Sequence, residues 1–93
     1  DSLGEHQLAI DCHKRALAIK NHHYQGQPDR SIAISLMNLG VAYAGLKEHR
    51  LAIKHYRQSW EMLRNLHGDV ADLDVAANLT NLGVAETNLG DHQ

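Results

Sequence analysis

The residues best suited to chemistry in this chain are its eight histidines and its single cysteine. His6, His49 and His92 recur at a spacing of 43 residues, and His22 and His23 are adjacent. Two zinc ligands on one helical face require a His-x3-His or a paired Cys/His spacing, and neither occurs, so the histidines are expected in turns and packing rather than around a metal. Cys12 precedes His13, but neighbours on a helix diverge by about 100°, so the two cannot act as a nucleophile and its base. No serine or carboxylate lies in a recognisable nucleophile or acid/base motif. The sequence therefore predicts no enzyme, no metal and no cofactor. What remains is a repeated amide, Asn38 and Asn81, a group that can donate and accept hydrogen bonds at once.

Those side chains need a scaffold, and the composition bounds it. Ninety-three residues make one small domain at most. A hydrophobic share of 43% with 22% charged residues suits a folded globular chain and excludes a disordered tail. The net charge of −2 offers no electrostatic reason to bind nucleic acid or an anionic membrane. The longest uncharged run, Ser31 to Leu46, is short and interrupted by Ser, Asn and Gly, so it predicts no membrane span. One cysteine cannot form an internal disulfide, and no signal peptide is visible, which makes the cytoplasm the expected compartment. One proline, no phenylalanine and an abundance of Ala and Leu point to an all-α chain.

Shifting the chain against itself by 43 residues reveals its organisation. Leu3, Glu5, His6, Leu8, Ala9 and Ile10 fall on Leu46, Glu48, His49, Leu51, Ala52 and Ile53. Asn38-Leu39-Gly40-Val41-Ala42 falls on Asn81-Leu82-Gly83-Val84-Ala85, and Leu46 and His49 fall on Leu89 and His92. Such self-similarity at fixed spacing is the mark of a solenoid, and the chain holds just over two periods. It is expected to be part of a longer array.

Each period reads as two antiparallel helices, B and A in order of appearance. Apolar residues Leu8, Ala9, Cys12, Ala16 and Ile19 recur every three or four positions and predict a helix B over 4–22. Gly26 and Pro28 break it, and Asp29 is the expected N-cap of a helix A over 30–45, with Asp72 in the same role one period later. After a turn at Gly45-Leu46-Lys47 come a second helix B over 48–66 and a second helix A over 73–88. The start of the next repeat is expected at 89–93.

Leu36, Leu39-Gly40, Tyr43, Ala52 and Tyr56 stand at the spacing of the tetratricopeptide repeat signature, and the resemblance covers the whole chain. The second copy carries Leu79 and Leu82-Gly83 but has Glu86 where the pattern calls for Tyr. The period exceeds the ordinary repeat of about 34 residues, and so resembles the long variant of kinesin light chains and, more weakly, the repeats of Pins/LGN scaffolds. The resemblance implies an α-solenoid, a right-handed superhelix of antiparallel helix pairs. Gly40 and Ala52 lack bulk where two helices must cross closely, in agreement with that register.

Charge separates the two kinds of helix. Between Arg30 and Lys47 the first helix A has no charged residue, whereas the B helices carry Lys, Arg, Asp and Glu throughout, so the B helices are expected on the solvated outside. On the side of helix A away from Leu36 and Tyr43, the helical step collects Ile34, Met37, Asn38, Val41, Ala44 and Gly45, then Ala77, Thr80, Asn81, Val84, Thr87 and Asn88. The resemblance implies that this stripe is a concave groove for a peptide or helix of a partner protein. Its expected lining is Met37, Asn38, Val41, Gly45, Thr80, Asn81, Val84 and Asn88. Without basic residues there, a clamp for acidic peptide tails is not expected. The alternative is a structural spacer or self-assembling array with no ligand in its groove. Self-association is expected through the terminal helices, where Val75, Leu79 and Leu82 would otherwise face water.

Overall fold

The computed structural model describes residues 2–67 and 73–91, and these form four helices: α1 (Ser2–His23), α2 (Arg30–Gly45), α3 (His49–His67) and α4 (Leu73–Asp91). Among the described residues there is no strand. Helix α1 ends in a Schellman arrangement: Gly26 N donates to Asn21 O at 3.0 Å and Gln25 N to His22 O at 3.2 Å, with Gln25 in the left-handed region at φ 54°. Helix α2 then starts from a real cap, since Asp29 Oδ2 accepts from Ser31 N at 2.8 Å. Asp72, its expected counterpart, lies outside the described residues.

The turn into α3 repeats the Schellman arrangement. Glu48 N donates to Tyr43 O at 3.0 Å and Lys47 N to Ala44 O at 2.9 Å, with Lys47 at φ 61°. One period later the expected turn at Leu89-Gly90-Asp91 does not form, and α4 continues through Asp91. Glycine permits a left-handed turn without enforcing one. At Lys47 the turn is stabilised because α3 folds back onto α2, which offsets the strain of a lysine in that conformation.

Helix α2 is the centre of the packing. It touches α1 on one flank, α3 on the other, and α4 at its edge, while α3 also packs on α4. The core gathers Ile10 from α1, Leu39, Ala42 and Tyr43 from α2, Ala52, Ile53 and Tyr56 from α3, and Ala85 from α4. The close crossing expected at Gly40 is present: a Cβ on Gly40 would lie 2.6 Å from the Tyr56 ring. Helix α1 departs from the expected pattern. Leu8, Cys12 and Ile19 are exposed, and the residue it sends into the core is Ile10. The apolar period of a B helix has two sides, one for each A helix beside it, and only the side carrying Ile10 meets α2.

Candidate interaction surface

Buried polar groups lock the helices in register. Ser59, fully buried on α3, donates from Oγ to Ala33 O of α2 at 2.6 Å and accepts from Asn78 Nδ2 of α4 at 2.9 Å. One hydroxyl thus joins three helices. Ser35 stands one period before Asn78, and there Lys20 Nζ of α1 donates to its Oγ at 2.8 Å and to Ser31 O at 3.3 Å. Position 35/78 of helix A is therefore the polar link to the helix B before it. The sequence pattern missed it because the two residues differ; only the equivalence of their places shows it.

A second pair of equivalent positions changes its chemistry. Lys14 Nζ lies 5.8 Å from the centre of the Tyr43 ring, which also meets the His55 ring at 5.1 Å. Forty-three residues on, Arg57 donates to Glu86 Oε1 at 3.0 Å. Glu86, which breaks the Tyr pattern, thus puts an ion pair at the α3 and α4 seam where the equivalent α1 and α2 seam has a cation–π contact. Arg30 and Asp74 pair at 2.6 Å across the starts of α2 and α4.

On this frame α2 and α4 run side by side with their stripes outward. Val41 and Val84 are 50% and 56% exposed, Thr80 is exposed, and Met37, Asn38, Asn81 and Asn88 are half-buried. Among the described residues neither the Asn38 nor the Asn81 amide has a hydrogen-bond partner. Met37 leans on the core and contributes to packing as well as to the surface. Gly45 differs from the rest, because the His6 imidazole of α1 occupies the space a side chain there would need. Its role is to admit His6. Thr80, Val84 and Asn88 line, with Leu79, Gly83 and Thr87, a depression of about 460 Å³ on α4.

Titration does not distinguish this face. Burial raises the Tyr56 phenol above the ordinary 10.0, so its neutral ring supports the Gly40 crossing below pH 10 and loses that contribution as pH climbs through the raised value. Among the described residues no three of His, Cys, Asp or Glu are placed to hold a metal ion, and His92 lies outside them. No described helix is long and apolar enough to cross a membrane.

Alternating helices with a glycine crossing at Gly40 and Tyr56, in register with the 43-residue repeat, agree with a comparison against known families, in which a tetratricopeptide repeat model matches residues 1–65. The chain belongs to the tetratricopeptide repeat family. No curated protein and no solved structure matches it. Helix α4 lies beyond the matched residues and joins the tetratricopeptide pattern through the internal repeat, with Asn81-Leu82-Gly83-Val84-Ala85 copying α2. Tetratricopeptide repeats generally mediate protein–protein interaction and typically serve as non-enzymatic scaffolds.

Proposed function

We propose that this tetratricopeptide chain is a protein-interaction scaffold that takes a peptide or helix of a partner along the stripe of α2 and α4. The observation that carries this reading is the paired Asn38 and Asn81, whose amides have no hydrogen-bond partner among the described residues and stand beside the exposed Val41 and Val84. Apolar contact from the valines and main-chain hydrogen bonds from the amides would together hold an extended or helical segment. The 43-residue period supports kinship with the long-period repeats of kinesin light chains, and the reading assigns the protein to the cytoplasm. A pulldown of partners with wild type and with Asn38→Ala/Asn81→Ala tests it. Each lost hydrogen bond should weaken binding by about 0.5–1.5 kcal/mol with helicity unchanged; equal capture by both proteins would overturn the groove.

A second reading, a self-assembling spacer, has its own observation. Leu79 on α4 is 50% exposed beside Gly83, and Leu8 and Ile19 are exposed on α1. Stacking α1 of one copy on α4 of another would cover both faces in a head-to-tail, heterologous contact. Light scattering over a concentration series should then show growing assemblies, and a monomer throughout would exclude it.

A further inference from the structure

A groove on the opposite side of α2 has no part in the proposed function. It lies between α1 and α3, with Leu17, Ile32, Leu36 and Met62 as an apolar floor and Pro28 at one wall, and is an open depression of about 460 Å³. At the other end of α2, Tyr43 lies between Lys14 of α1 and His55 of α3 and takes no part in the lining. The groove is open to solvent, and its volume suits one bulky side chain with its flanking main chain better than a continuous helix about 10 Å across.

Its rim is polar on both walls. Asn21 comes from α1, and Gln58, Glu61 and Asn65 come from α3. Among the described residues none of these four side chains has a hydrogen-bond or ion-pair partner, although Lys20, Arg57 and Arg64 stand on the same helices. Apolar floors with a few convergent polar groups are the ordinary design of ligand sites. Three amides can each donate to and accept from a peptide main chain. Among the described residues Glu61 is the one charged group in the lining, and its carboxylate favours a cation there.

We propose that this outer pocket binds a partner peptide in which a bulky apolar residue is followed by Lys or Arg, the apolar side chain entering over Ile32 and Leu36 and the cation meeting Glu61. The site is separate from the stripe on α2 and α4, so either can fail without the other.

The test uses an array of short peptides carrying Leu, Met or Phe next to Lys or Arg, with controls in which Glu replaces the cation or Ser replaces the apolar residue. The best binder is then titrated into isotope-labelled protein and followed by NMR. Binding of the apolar–basic peptides, with shifts at Leu17, Asn21, Ile32 and Met62, is expected. Glu61→Lys, on an exposed side chain, should weaken that binding about two- to fivefold, the range of exposed ion pairs, and turn the preference toward the Glu-bearing controls. Asn21→Trp should fill the mouth and abolish binding while the circular dichroism spectrum and melting temperature stay as in wild type. Controls that bind as well as the apolar–basic set, shifts confined to the α2 and α4 stripe, or an unchanged charge preference in Glu61→Lys would each overturn the proposal. An array with no binder would do the same.

Discussion

Helices α2 and α4 carry the same five residues, Asn-Leu-Gly-Val-Ala, in the same register, yet they stand in different surroundings. Leu36 of α2 is 7% exposed and its counterpart Leu79 is 50% exposed. A Cβ on Gly40 would meet the Tyr56 ring, whereas one on Gly83 would meet nothing within 4 Å. The sides turned toward the preceding helix B nevertheless agree, because Ala42 and Ala85 are both buried. The motif thus specifies two faces at once, and each is buried only where a helix lies against it. For the tetratricopeptide repeat this separates what a helix can accept from what it has accepted.

The largest effect that can break this comparison is at the two glycines. Gly40→Leu should destabilise the chain by about 1–3 kcal/mol, because the crossing with Tyr56 is already at contact and overpacking displaces a buried ring. Gly83→Leu should instead be neutral or stabilising by up to about 1 kcal/mol, since it removes a flexible residue from a helix and meets no neighbour. Urea unfolding of both variants measures the contrast, and equal destabilisation would show that the two faces are alike in solution.

The polar links provide the next test. Ser59→Ala leaves Asn78 Nδ2 and Ala33 O without their shared partner in a buried place, at a cost of about 1–3 kcal/mol. Ser35→Ala at the equivalent link should cost less than about 1 kcal/mol, because half-buried Lys20 can turn its ammonium toward water and still reach Ser31 O. The same unfolding measurement ranks them, and a larger loss at Ser35 would reverse the reading.

The smallest contrast lies at the outer seam. A double-mutant cycle on Arg57 and Glu86, both about half exposed, should give about 0.2–1 kcal/mol and fade at high salt. A cycle on Lys14 and Tyr43 should give about 0.5–1 kcal/mol. If the Arg57 and Glu86 coupling does not change with salt, the exchange of an ion pair for the cation–π contact is not what distinguishes the two seams.

The solenoid class and the buried row of Leu36, Leu39, Gly40 and Tyr43 were legible because helical periodicity and the 43-residue repeat report on the same positions. The N-cap at Asp29 was legible for a local reason, one side chain reaching one nearby amide. The stripe was legible as a helix side but not in the roles of its members. Gly45 is followed in sequence by an ordinary turn, and nothing local reveals that His6, from another helix, packs over it. The Ser59 and Asn78 link was invisible for the same reason, since polar residues in a helix are most often solvated and only a third helix makes them a bridge.

By itself the sequence determined that this chain is a stack of helix pairs, where α2 begins, and which side of each helix is apolar, because propensity, capping and periodicity act over a few residues of chain. Only the tertiary structure decided which of those sides are covered, that Glu86 is held by Arg57 at the α3 and α4 seam equivalent to the one where Tyr43 meets Lys14, and that a groove opens between α1 and α3. Burial, ion pairing and cavities belong to neighbours far apart in the chain, and their energies depend on distances that periodicity does not encode.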